Sequence, residues 1–180
     1  MDAQSLRSLG IRNADDCNAY TLLTSRENNG KIIRILRDFV AEYNASVPLE
    51  KITVRNAGDA VKAAGNIFKG LDHEQCWVLF LNNGLKVMGR KMISDGTMYS
   101  TLIDNRSIAV ECLNRNASGI ILMHNHPSGD PSPSKADISQ TEKLKDVLKV
   151  LDMTLFDHIV ISEDSYFSFT DGKTERMRNL

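Results

Sequence analysis

The chain has 180 residues, 42% of them apolar and 25% charged, which suits one ordinary domain, or one domain with a short appendage. Lys and Arg total 22 against 23 Asp and Glu, a net charge of −1, so no long-range attraction to nucleic acid is built in and only a local patch could supply it. Three widely spaced cysteines, Cys17, Cys76 and Cys112, fit a reducing compartment better than a disulfide framework, and the lack of a CxxC pair argues against a zinc ribbon. No apolar run approaches the ~18 residues of a membrane span. The first thirty residues show no basic start followed by an apolar run. The expectation is a cytoplasmic protein without membrane partners.

Residues 1–30 are polar and carry little pattern. From Lys31 to Asn44, Ile32, Ile33, Leu36, Phe39, Val40 and Tyr43 recur at helical spacing. Lys31, Arg34 and Arg37 share one side of that helix, as a solvated face usually does. Ser46-Val47-Pro48 breaks the period. The chain therefore divides into an N-terminal helical arm, 1–47, a main domain, 48–173, and a charged tail, 174–180.

In the main domain, Ile52-Thr53-Val54 is a short strand, and Asn56 or Asp59 caps a helix running to about Lys69. Val61, Ala64, Ile67 and Phe68 face inward, and Gly70 follows as terminator. Glu74 opens the apolar run Cys76-Trp77-Val78-Leu79-Phe80-Leu81, a buried strand. Asn82-Asn83-Gly84 is a hairpin turn of residues that tolerate positive φ, and the return strand spans about 86–94. Asp104 caps a helix from Ile108 to Asn116, with Ala109, Val110, Cys112 and Leu113 on its apolar side. Ile120-Ile121-Leu122-Met123 is the next strand. A helix of about 135–151 follows, with Ile138, Leu144, Val147, Leu148 and Leu151 on one face. Strands of about 154–162 and 166–169 come next, and the charged end from Asp171 forms a short helix. Interleaved strands and helices predict a mixed α/β (α+β) fold, one sheet with helices packed on it.

The chemistry concentrates between His124 and Asp137. This stretch holds two of the four histidines and three of the four prolines. His124 and His126 stand two apart at a strand end, so both imidazoles face one side. Asp137 supplies a third ligand if the loop folds back. Pro127, Pro131 and Pro133 stiffen that loop and Gly129 lets it turn. Two histidines and one aspartate bind zinc and leave one position open, as in catalytic sites. Such a metal lowers the pKa of water from about 15.7 to about 7. Ser134 and Asp137 also fit a helix start with Ser134 as N-cap, and Ser134 could donate to a developing oxyanion. The general base must come from elsewhere. Glu74, a carboxylate at the mouth of a core strand, is the first candidate, with Asp72, His73 and Glu111 as competitors. A strand-edge acid with no role is also open for it.

His124, His126, Ser134 and Asp137 make the pattern His-x-His-x₇-Ser-x₂-Asp, which resembles the signature of the JAB/MPN (JAMM) metallopeptidases. The string His124-Asn125-His126-Pro127-Ser128-Gly129-Asp130-Pro131 is similar to the bacterial RadC-like subgroup. The resemblance covers roughly residues 50–170. It implies a JAB/MPN-like fold, zinc on His124, His126 and Asp137, Glu74 as general acid/base, and Ser134 supporting the tetrahedral intermediate. It also implies hydrolysis of an amide or isopeptide bond of a peptide or protein. RadC-like proteins carry an old link to DNA repair, and many have a helix-hairpin-helix segment ahead of the domain. Residues 1–47 lack a clear hairpin glycine pattern, which weakens direct DNA binding. The alternatives are a nucleic-acid factor and a binding module without turnover. The substrate and the oligomeric state are not legible.

Overall fold

In a computed structural model of the chain, residues 52–96 and 104–177 are described. The expected arm of residues 1–47, its helix, the row Lys31, Arg34 and Arg37, and Cys17 lie outside them.

The described residues form a three-layer α/β structure. In chain order the elements are α1 (Ala57–Ala64), β1 (Gln75–Leu81), β2 (Val87–Asp95), α2 (Asn105–Arg115), β3 (Gly119–Asn125), α3 (Lys135–Val150), β4 (Thr154–Ile161), β5 (Ser165–Ser168) and β6 (Lys173–Arg176). The sheet order is β2-β1-β3-β4-β5-β6. Neighbours run antiparallel except β3 and β4, which are parallel and joined through α3. This is the mixed fold that the interleaved pattern predicts.

Side-chain alternation sorts the core into two halves. Leu79 and Leu81 of β1, Ile121 and Met123 of β3, and Ile159 and Ile161 of β4 face α1, where Ala57, Ala60, Val61 and Ala64 pack. Cys76, Val78 and Phe80 of β1 and Ile120 and Leu122 of β3 face Ile108 and Cys112 of α2 and Leu144 and Leu148 of α3. Each fully buried Val, Leu, Ile, Met or Phe side chain among these stabilises the fold by about 1.5–3 kcal/mol. Cys76 and Cys112 are buried free thiols inside this packing.

Several local expectations need correction. The first helix stops at Ala64, because Gly65 takes φ +63 and its N–H closes onto Val61 and Lys62; Gly70 is not the terminator. In the β1–β2 turn, Asn82 Oδ1 accepts from the Gly84 and Lys86 N–H groups. The positive φ falls on Leu85, at +58, not on the Asn-Gly pair. On α2 only Ile108, Ala109 and Cys112 are buried; Val110 and Leu113 are 48% and 56% exposed. The inner row of α3 is Thr141, Leu144 and Leu148, whereas Ile138 is 50% exposed. The charged end is a strand, not a helix. β6 pairs with β5 through Tyr166↔Glu175 and Phe167↔Thr174, and the Tyr166 hydroxyl donates to Glu175 at 2.7 Å. Lys173 and Glu175 on this edge strand are the kind of residues that discourage further strand pairing.

Candidate metal centre

β3 is the axis of the site. It lies between β1 and β4, and all seven of its residues are buried. His124 follows Ile120 and Leu122 onto the face covered by α2 and α3. His126 keeps the same parity one residue past the strand, where its N–H donates to the Ile161 carbonyl at 2.8 Å and extends the pairing with β4. The chain then turns. Gly129 adopts φ +86, a conformation that favours glycine, and its N–H reaches the His126 carbonyl. The Asp130 carboxylate accepts from the Ser132 N–H at 2.9 Å, an Asx turn. Ser134 caps α3 in a full capping box with Asp137. The loop thus delivers Asp137, in the first turn of a helix where the macrodipole favours an anion, back to the histidines.

The three predicted ligands converge. His124 Nε2 and His126 Nε2 are 3.0 Å apart. Asp137 Oδ1 is 3.3 Å from His124 Nε2, and Oδ2 is 3.6 Å from His126 Nε2. The ligand atoms of all three lie within 4.8 Å of one another. Tetrahedral ligands about 2 Å from zinc stand about 3.3 Å from each other, so the spacing fits. The donor chemistry fits too. His126 Nδ1 faces the Asp130 carbonyl at 2.9 Å, an atom that can only accept, so a neutral His126 carries its hydrogen there and leaves Nε2 bare. Asp137 Oδ2 already accepts from the Ser134 N–H at 2.7 Å and hydroxyl at 2.6 Å, which leaves Oδ1 for a metal.

The electrostatics couple the three groups. Burial lowers His124 to a pKa of about 4, against the opposing pull of Asp137. His126 is raised, chiefly by Asp137 and with help from Glu74. Burial works against the Asp137 carboxylate, yet His126, His124 and Ser134 together hold it well below the usual carboxylate range. Bringing two imidazoles and a carboxylate this close requires a shared proton or a metal ion between them.

Glu74 is exposed and immediately precedes β1. Continuing the pairing Cys76↔His124 by two residues sets Glu74 across from His126. Asn125, between the two histidines, fixes this segment. Its Oδ1 accepts from the Gln75 N–H at 2.7 Å, and its Nδ2 donates to the His73 carbonyl at 2.9 Å. The competing bases sit elsewhere. His73 is held between Asp72 and Asp95 at 2.8 and 2.7 Å. Glu111 is paired with Lys91 at 2.6 Å and with Arg115. Ser134, as N-cap, spends its hydroxyl hydrogen on Asp137.

Three residues near the centre escape a reading of the motif: Asn125, Thr141 and His158. His158 is fully buried on β4, with Nε2 2.8 Å from His124 Nδ1 and Nδ1 2.6 Å from Thr141 Oγ1. Burial and the neighbouring His124 lower it to a pKa of about 3. A histidine inside the mostly apolar strand segment 155–161, where Asp157 is the other polar residue, is the signal that could have found it. Asn125 and Thr141 carry no comparable signal.

Among the described residues no helix is long and apolar enough to cross a membrane. A family model described as "RadC-like JAB domain" matches residues 54–175. Curated relatives named "UPF0758 protein" are similar to this chain. The one from Flavobacterium johnsoniae is 42% identical over 123 residues, 68% of this chain and 53% of its own length. The one from Thermotoga maritima is 42% identical over 101 residues, 56% of this chain and 46% of its own. The chain spans about half the length of these relatives. With sheet order, loop and convergent side chains in place, the match over residues 54–175 settles the kinship: this chain belongs to the RadC-like JAB domain family.

Proposed function

We propose that the domain is a zinc-dependent hydrolase of the JAMM type that cleaves an amide or isopeptide bond of a peptide or protein. The observation that carries the reading is the convergence of His124 Nε2, His126 Nε2 and Asp137 within 4.8 Å at a strand end, with Glu74 in register across from His126. Three protein ligands leave a fourth position for water or substrate, whereas structural zinc sites close with four. Zinc bound here supplies a Lewis acid for the carbonyl oxygen and lowers the pKa of the attacking water. The residues do the rest. His124 and His126 offer bare Nε2 atoms, and Asp137 offers Oδ1. The Glu74 carboxylate accepts a proton from the attacking water and returns it to the leaving nitrogen. Ser134 orients Asp137 and, when its hydroxyl turns away from that carboxylate, supports the oxyanion.

The test is metal content and turnover together. Purified protein should bind one zinc per chain. It should cleave at least one member of a panel of peptides and isopeptide-linked conjugates. Glu74→Gln should keep the zinc and lose about 10²–10⁴-fold in turnover. Full activity in Glu74→Gln would remove Glu74 as the base, and wild type without stoichiometric zinc would remove the reading altogether.

A further inference from the structure

We infer that His158 and Thr141 are positioning residues of the metal centre, setting from the backbone of α3 which nitrogen of His124 is bare. This rests on the metal-binding reading above. The direction of each bond follows from one fixed end. The Asp137 carbonyl can only accept, so the Thr141 hydroxyl, 2.6 Å away, donates its one hydrogen there. The Thr141 lone pairs are left for His158 Nδ1 at 2.6 Å, which therefore carries a hydrogen. In the neutral ring His158 Nε2 is then bare and accepts from His124 Nδ1 at 2.8 Å. That leaves His124 Nε2 without a hydrogen, facing His126 and Asp137.

The relay has little freedom to run the other way. His158 is fully buried and Thr141 only 7% exposed, so water does not readily replace either partner. The His158 ring stacks on Phe169, with centroids 4.7 Å apart and planes 7° from parallel, and Phe169 meets Phe167 edge-on. The Phe169 N–H also donates to the His158 carbonyl at 3.0 Å. Asp137 thus has two tasks. Its carboxylate faces the metal position, and its carbonyl anchors the chain that orients another ligand. Partners of this kind hold a metal-ligating histidine in one tautomer and orientation, and losing them typically costs 10–100-fold in metal affinity. The plainer alternative is that Thr141 merely bonds back to the carbonyl four residues earlier, as helical threonines often do, and that His158 only fills the core.

Thr141→Val separates the two, because it removes the hydroxyl and keeps the branched shape. Zinc affinity would be measured near neutral pH by competition with a chromophoric chelator, and the thermal midpoint would be read on metal-free protein. The positioning role predicts zinc binding weakened about 10- to 100-fold, with Thr141→Ser close to wild type. A lower midpoint with unchanged zinc affinity would overturn it. A second measurement needs no variant. Long-range ¹H–¹⁵N spectra of the metal-free wild type should show both His124 and His158 protonated on Nδ1, and Nε2–H on either ring in its neutral form would also overturn the proposal. If wild type itself takes up no zinc, the metal reading has failed, which is distinct from a variant that binds as well as wild type.

Discussion

Ser134 caps α3 and is proposed also to support the oxyanion, and Ser134→Ala tells the two apart. The substitution removes an oxygen that accepts from the Asp137 N–H at 3.1 Å and donates to Asp137 Oδ2 at 2.6 Å. The bond from the Ser134 N–H to the same carboxylate, at 2.7 Å, survives. Loss of an N-cap oxygen costs about 1 kcal/mol. The bond to a charged carboxylate adds somewhat less than its usual ~1.5 kcal/mol, because Ser134 is exposed and water takes over part of it. The metal-free protein should therefore lose about 1–2 kcal/mol, or roughly 3–8 °C in thermal midpoint. Asp137 keeps one orienting bond, so zinc should weaken by about 10-fold, the lower end of the range for such partners. At saturating zinc, an oxyanion donor would show as a fall in kcat of about 10²–10³. Ser134→Thr, which still caps, should recover most of the stability. The assays are thermal melts of metal-free protein, chelator competition, and kcat at saturating zinc. An unchanged midpoint would refute the capping argument, and an unchanged kcat would leave Ser134 with capping as its only task.

Further outcomes follow from the same geometry. A Cβ at Gly119 would lie 2.3 Å from the Thr154 carbonyl oxygen and 2.5 Å from Phe156 Cε2; Gly119→Ala should cost about 3 kcal/mol in urea unfolding, and a shift near zero would mean that β3 and β4 can part there without loss. Zinc at a thousand times its Kd should stabilise the fold by roughly 4 kcal/mol, raising the midpoint by roughly 10 °C, with reversal by chelator. Because Asp137 raises His126, protons should compete for the site as pH falls through that raised pKa, so zinc affinity should drop on acidification; affinity flat between pH 8 and about 6 would contradict the assignment. Hydrogen bonding to Asp72, aided by Asp95, raises His73. Its contribution to stability is full below its ordinary pKa and is lost as pH rises through the folded value. An NMR titration should place His73 above about 6.5, and Asp95→Asn should bring it down.

The motif was legible because its spacing carries geometry. A two-residue step on a strand puts His124 and His126 on one side, and Ser134 with Asp137 spells a helix start whatever else they do. The order of elements was legible for the same reason, since the apolar runs of β1, β3 and β4 admit little but buried strands. Three kinds of feature were not. Burial on α2 and α3 depends on which helix face meets the sheet, and Val110, Leu113 and Ile138 fit the helical period yet stay exposed. The β5–β6 pairing lies in a charged segment, where edge position rather than apolar pattern decides. His158 is 34 residues from His124 in sequence, and only the parallel register Leu122↔His158 puts it diagonally behind a candidate ligand. No local pattern encodes that register.

Topology explains why an acid at residue 74 lies at the same sheet end as the candidate ligands at 124–137. β3 and β4 are parallel, so their C-terminal ends lie at one edge of the sheet. The crossover α3 starts there too, as in other sheets whose ligands gather beyond the carboxyl ends of parallel strands. β1 runs antiparallel to β3, so it is the start of β1 that reaches this edge, and the proposed base lies just before it. Parity then selects the residue. Gln75 Oε1 accepts from Trp77 Nε1 at 3.1 Å, and Gln75 Nε2 donates to Asp95. His73, which also bonds Asp95, joins them on the face that carries α1. Glu74 shares its parity with Cys76, on the face of His124. A one-residue slip of β1 would exchange those faces and offer Gln75 to the metal edge. Asn125, which grips the backbone at both His73 and Gln75, is the contact that opposes such a slip, so the residue between the two histidines guards the register on which the proposed base depends.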